Sequence, residues 1–87
     1  MANHKDAMKR VRQNMKRRAR NRHYRTQMRN QTKRVRDAVA TGDYEGAREQ
    51  FRVAVSIIQR VTQKGVIHKN QAARRISRLS AAVKALA

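Results

Sequence analysis

An all-α fold, an antiparallel three-helix bundle with an extended, highly basic first helix projecting beyond it, is predicted by three features of the sequence. The chain has no proline, and its three glycines stand at 42, 46 and 65, so long stretches carry no strong helix breaker. Apolar residues recur at alternating spacings of four and three in two separate segments. Positive charge is concentrated in the first 40 residues, which hold 14 Lys/Arg and 2 acids, whereas residues 41 to 65 hold 4 and 3.

The first helix is expected over about residues 5 to 40, ending where Thr41-Gly42-Asp43 joins a C-capping glycine to an N-capping aspartate. Glu45 favours the first turn of the second helix. There Ala47, Phe51, Ala54, Ile58 and Val61 form the stripe, broadened by Val55 and Ile57, and the helix stops at Lys64-Gly65. After the short link Gly65-Val66-Ile67-His68, the third helix repeats the pattern with Ala72, Ile76, Leu79, Val83 and Leu86. Short connections make neighbouring helices antiparallel.

The first helix is not uniform along its length. At about 100° per residue, Tyr24, Met28, Val35 and Val39 share one sector, which Arg10 and Arg17 occupy farther upstream; Met8, Val11 and Met15 lie roughly opposite. One straight helix cannot bury both stripes in one bundle. At about 1.5 Å per residue the first helix spans about 54 Å and the other two about 30 Å each, leaving some 20 Å of overhang. The expectation is a single domain over 1–87, with 1–22 a basic projecting helix, prone to disorder until its charge is neutralised, and 23–87 the bundle.

Composition narrows the function. The chain has 87 residues and a net charge of +18, while Val, Ile, Leu and Phe fill only 15 positions. A thin core under so much charge calls for a polyanionic partner. No apolar run approaches the roughly 18 residues of a membrane span, and Met1-Ala2-Asn3-His4-Lys5 leads into charge rather than a secretory segment, so a cytoplasmic protein without a membrane partner is expected. Cysteine is absent, which excludes disulfides and thiolate metal sites.

Catalytic groups are poorly supported. Three of the five acids, Asp43, Glu45 and Glu49, cluster at the start of the second helix, where capping and the helix dipole account for them. His4, His23 and His68 are too scattered for a close-spaced metal motif. Ser56, Ser77 and Ser80 have no neighbouring base, and no glycine-rich phosphate loop is present. The expectation is a non-enzyme that needs no cofactor and no metal.

The basic residues are more informative. Lys5, Lys9, Arg10, Arg12, Lys16, Arg17, Arg18, Arg20 and Arg22 surround the overhang. Arg18, Arg22, Arg25, Arg29, Lys33 and Arg36 follow at three or four residues, a row about 27 Å long beside the apolar sector. A solvated helix face would intersperse acids, and none occurs between residues 7 and 36. A second group, His68, Lys69, Arg74, Arg75 and Arg78, opens the third helix, where backbone N–H groups favour an anion. Only Tyr24, Tyr44 and Phe51 are aromatic, and Tyr24 and Phe51 sit in apolar stripes, so no platform for stacking single-stranded bases exists. Arginine rods suit folded duplex RNA or the backbone of DNA, and charge does not choose between them. A DNA-binding architectural or helix-turn-helix protein is the alternative reading. A basic-zipper dimer is disfavoured because Gly42 interrupts the repeat just after the basic region, and no homo-oligomer is expected.

The segment Lys64-Gly65-Val66-Ile67-His68-Lys69-Asn70-Gln71-Ala72-Ala73-Arg74 closely resembles the signature of bacterial small-subunit ribosomal protein twenty. The Met1-Ala2-Asn3 start, the run at Lys9-Arg10, the Gly42-Asp43 break and the length agree, so the resemblance covers essentially the whole chain. Asp6, Met8, Thr26 and Asn30 depart from the commoner residues. The resemblance implies a three-helix bundle with a long arginine-rich first helix, located in the ribosome and bound directly to small-subunit ribosomal RNA among other components of the small subunit. It further implies early assembly, with helices of the 5′ domain and the penultimate helix at the foot braced together. Carried over by position, it implies RNA contacts from the basic residues of the first helix, from His68, Lys69 and Asn70, and from Arg74 and Arg75.

Overall fold

The computed structural model describes residues 4–87; Met1, Ala2 and Asn3, assigned above to the start of the projecting segment, lie outside the described residues. Three helices follow in order: α1 (His4–Ala40), α2 (Tyr44–Gln63) and α3 (Lys69–Lys84). They pack on one another as an all-α bundle, with α1 most extensively against α2 and least against α3. The molecule is elongated, 62 × 20 × 15 Å. That length follows from α1, whose 37 residues rise about 55 Å.

Both helix ends are set by glycine. Gly42 has φ +74 and Gly65 has φ +75, a left-handed conformation that costs glycine nothing sterically. At the end of α1 the Asp43 amide donates to the Ala38 carbonyl (3.0 Å) and the Gly42 amide to Val39 (3.1 Å). At the end of α2 the Val66 amide donates to Val61 (3.2 Å) and the Gly65 amide to Thr62 (3.0 Å). Both are paired Schellman closures that satisfy the last carbonyls of a helix. Asp43 then starts α2 by accepting from the Gly46 amide at 3.0 Å, and His68 starts α3 by accepting from the Asn70 amide through Nδ1 at 3.1 Å.

The core is small and lies between Tyr24 and Leu86. Its largest fully buried side chains are Val35, Ile58 and Val61, with Met28, Ala47, Ala54, Ile57, Leu79 and Val83 around them. Each fully buried aliphatic side chain contributes about 1.5–3 kcal/mol. Phe51, Ile76 and Leu86 are only half-buried, at the edge of this cluster, and Tyr44 joins them although no apolar stripe assigned it there.

Two points differ from the sequence expectation. Val66 and Ile67, read as linker, are both buried. The Schellman bond that turns Val66 back onto Val61 directs the link into the core, where it joins the bottom of α2 to the first turn of α3. As a result α3 has 16 residues and rises about 24 Å, less than the expected 30 Å. The second is Gln31, which sits in the apolar sector of α1 between Met28 and Val35 and is buried. Its Nε2 donates to the backbone carbonyl and to the side-chain oxygen of Gln50, so a polar clamp joins α1 to α2 in the middle of the core.

Candidate nucleic-acid interface

Residues 4 to 20 of α1 are exposed on every side, and Asn21 is the first to be partly covered. Lys5, Lys9, Arg10, Arg12, Lys16, Arg17, Arg18 and Arg20 therefore all point into solvent, joined at the margin by Arg22. Met8, Val11 and Met15 are 52%, 57% and 64% exposed on this rod, so its apolar stripe packs on no other helix. Among the described residues the single ion pair is Glu49 with Arg52 at 3.9 Å, well exposed on α2. No carboxylate among the described residues pairs with a cation of α1 or α3. Like charges this close on a helix face repel, and an anion bound along them relieves the repulsion.

Where the rod meets the bundle, the row of arginines lines a cleft. Arg18, Asn21, Arg22, Arg25, Thr26 and Arg29 bound it along one side of α1. Farther along, the row runs beside α3, and the two helices combine their charge. Arg25 and Arg29 face Gln71 and Arg75 across a cleft of about 190 Å³, floored by Met28 and Ile67. The next cleft, about 260 Å³, sets Thr32 and Arg36 of α1 against Gln71, Arg74, Arg75 and Arg78 of α3, with Leu79 behind. Gln71 and Arg75 line both, so the two clefts form one basic groove along the α1–α3 junction. No acidic residue lines it.

Polar groups in these clefts are left over. Asn21 Oδ1, Thr32 Oγ1 and Arg75 Nε are the buried side-chain atoms without a hydrogen-bond partner among the described residues. Each lies in a residue that lines a basic cleft. A buried polar atom without a partner costs about 1–3 kcal/mol, so these positions favour a ligand that brings hydrogen-bonding groups.

The basic residues selected from the sequence thus divide three ways. Arg25, Arg29, Arg36, Arg74, Arg75 and Arg78 converge on the groove, with Arg75 half-buried and the others exposed. Those of the rod, from Lys5 to Arg20, are exposed, and at its base Arg18 and Arg22 line the cleft along α1. Lys33, His68, Lys69 and Asn70 are exposed but lie outside these clefts, and His68 is engaged as the N-cap of α3. Sequence reasoning missed Thr32 and Gln71, and it assigned Arg74, Arg75 and Arg78 to the helix start rather than to a face. Gln71, Arg75 and Arg78, four and three residues apart beside the stripe of Ala72 and Leu79, were the available signal. Among the described residues no group of His, Asp and Glu could hold a metal ion, and no helix is long and apolar enough to cross a membrane.

Comparison with known proteins decides the family. A family model described as Ribosomal protein S20 matches residues 2–84, which takes in all three helices and both junctions. The chain belongs to the ribosomal protein S20 family. It is 51% identical over 86 residues to the small ribosomal subunit protein bS20 of Wolinella succinogenes, covering 99% of this chain and 94% of that one. The protein of the same name from Magnetococcus marinus is 53% identical over 87 residues, covering 100% and 95%. That from Helicobacter acinonychis is 48% identical over 87 residues, covering 100% and 98%. Ribosomal protein S20 is a structural family and not an enzymatic one. The S20 match also spans the exposed rod, so that segment belongs to the family pattern as much as the bundle does.

Proposed function

We propose that the protein is a structural component of the small ribosomal subunit, in the cytoplasmic ribosome, and that it binds small-subunit ribosomal RNA directly through α1 and the α1–α3 junction. The observation that carries this is the uncompensated charge: an exposed rod and a basic groove, neither with a carboxylate partner. RNA helices that converge repel one another through their phosphates. A rod with about nine cations entering between them lowers that repulsion, while the bundle fixes the direction in which it enters.

The contacts proposed are Lys5, Lys9, Arg10, Arg12, Lys16, Arg17, Arg18, Arg20 and Arg22 on the rod. Arg25, Arg29, Lys33 and Arg36 follow along α1, and His68, Lys69, Asn70, Arg74, Arg75 and Arg78 act from α3. In this reading the rod is ordered by phosphates, and the protein braces helices of the 5′ domain and the penultimate helix at the foot during assembly, next to other components of the subunit. Recognition runs through backbone geometry and 2′-hydroxyls rather than stacked bases, since Tyr24, Tyr44 and Phe51 pack against the core.

Co-sedimentation with the small subunit, chemical footprinting of its RNA and competition by duplex DNA at matched salt test the proposal together. The expected result is a defined protected region, poor competition by DNA, and a log–log salt slope that grows by roughly 0.7 to 0.9 for each phosphate contact. A slope near zero, or equal competition by duplex DNA, would overturn it.

A further inference from the structure

We propose that the groove where α3 lies against α1 is a shaped seat for one backbone phosphate of the bound RNA, with the Thr32 hydroxyl and the Arg75 guanidinium as its directional hydrogen-bond donors. This deepens the function proposed above and rests on it, because the phosphate belongs to ribosomal RNA. The rod and the groove then bind by different physics. On the rod the cations are exposed and spread around the helix, so they neutralise charge from many directions and impose little shape. In the groove, Arg36, Arg74, Arg75 and Arg78 converge with Thr32 and Gln71 on one cleft of about 260 Å³.

Two of those residues carry buried donor atoms without partners, Thr32 Oγ1 and Arg75 Nε, one from each helix. Nothing in the fold of the bundle uses either atom. A phosphate group accepts from hydroxyl and guanidinium alike, and charge-assisted bonds of this kind are stronger than neutral ones. Arg75 is half-buried and lines both halves of the groove, and a planar guanidinium fork selects an oxyanion by geometry where a lysine offers only a point charge. Both donor atoms are buried in the free protein. Seating the phosphate moves Arg36, Arg74 and Arg78, which are exposed and have room to swing.

The test uses substitutions that keep charge and size. Arg75→Lys retains the cation and loses the Nε–H; Thr32→Val retains the shape and loses the hydroxyl; Thr32→Ser restores it. Arg48→Lys, on the exposed surface of α2 outside the proposed contacts, is the control for an arginine-to-lysine change away from the RNA. Affinity of the full chain for small-subunit ribosomal RNA is measured across a salt series, and thermal melting of the free protein is measured in parallel. Arg75→Lys and Thr32→Val are each expected to weaken binding about tenfold, the loss of a hydrogen bond to a charged group, with the salt slope unchanged. Thr32→Ser should recover most of what Thr32→Val loses, and Arg48→Lys should bind within about twofold of the parent. Thr32→Val should melt at or above the parent temperature, because it removes a buried hydroxyl that has no partner. Affinity and stability then move in opposite directions, which a merely structural threonine would not produce. If Arg75→Lys and Thr32→Val both bind within about twofold of a parent that does bind the RNA, the groove is not a shaped seat while the proposed function stands. If the parent itself shows no preference for ribosomal RNA over duplex DNA, both readings fall.

Discussion

Gln31 and Gln50 are the polar tie between α1 and α2: Gln31 Nε2 donates to the Gln50 backbone carbonyl at 3.0 Å and to its Oε1 at 2.8 Å, while Gln31 Oε1 accepts from Arg34 at 3.4 Å. The pair is not symmetric. Gln31 is 3% exposed and Gln50 only half-buried. Removing Gln50's side chain leaves Gln31 its backbone acceptor, whereas removing Gln31 leaves a gap between Met28 and Val35. Gln31→Ala is therefore expected to lower stability by about 2 kcal/mol and Gln50→Ala by about half as much, with a non-additive double variant. Urea unfolding followed by circular dichroism measures all three; equal losses from the two single variants would contradict the asymmetry.

Gly46 is the place where helix propensity and capping collide. Its missing side chain lets the Asp43 carboxylate reach the Gly46 amide, and a Cβ there would stand 2.7 Å from Asp43 Cγ. An exposed Gly→Ala change inside a helix ordinarily stabilises by about 1 kcal/mol, and loss of an aspartate cap costs about as much. Gly46→Ala alone is expected to change stability by less than about 0.5 kcal/mol, since displacing the cap offsets the propensity gain. In an Asp43→Ala background the same substitution should stabilise by about 1 kcal/mol. A gain of equal size in both backgrounds would show that the carboxylate does not occupy the Cβ position.

What could be read from the sequence follows from what periodicity encodes. Apolar spacing gives the inward face of each helix, and Gly42-Asp43 and Lys64-Gly65 give the breaks, so the three helices, their order and the core of Val35, Ile58, Val61, Leu79 and Val83 were legible. Periodicity within a helix does not give its rotation relative to a neighbour. Hence the row Arg25, Arg29, Arg36 and the group Arg74, Arg75, Arg78 were both visible, but their meeting in one groove was not. Gln31 escaped because a polar residue in an apolar sector reads as an interruption until its partner on another helix is known. Val66 and Ile67 escaped because the bond that folds them back onto α2 depends on the left-handed turn at Gly65, and a four-residue link has too few positions to show a face.

His68 has a structural duty separate from any role in binding. Its Nδ1 accepts the Asn70 amide at 3.1 Å, satisfying a donor in the first turn of α3, next to Val66 and Ile67 in the core. His68→Ala is expected to cost about 1 kcal/mol, and His68→Asn, which restores an acceptor, to recover most of that loss. Melting of the free protein measures the cap alone; a loss in RNA affinity that survives in the Asn variant belongs to the imidazole itself.

The exposed half of α1 makes the last expectation, and it joins folding to binding. From His4 to Arg20 no residue is covered by another helix, so nothing from the core offsets the repulsion among its cations. Isolated helices of this length are marginal in water even with favourable composition. In the free protein, amides of residues 5 to 20 are expected to exchange far faster than those of residues 50 to 60, where Ala54, Ile57 and Ile58 are buried. Binding to ribosomal RNA should slow them, because phosphates supply the counter-charge that lets the helix persist. Replacing Arg12, Lys16, Arg17 and Arg20 with Gln should then raise helicity of the free protein while reducing the salt slope of RNA binding by up to about 3 to 4. Equal protection of the two segments in the free protein would show that the rod is ordered without its counter-charge, and an unchanged slope in the four-fold variant would place those cations away from the RNA.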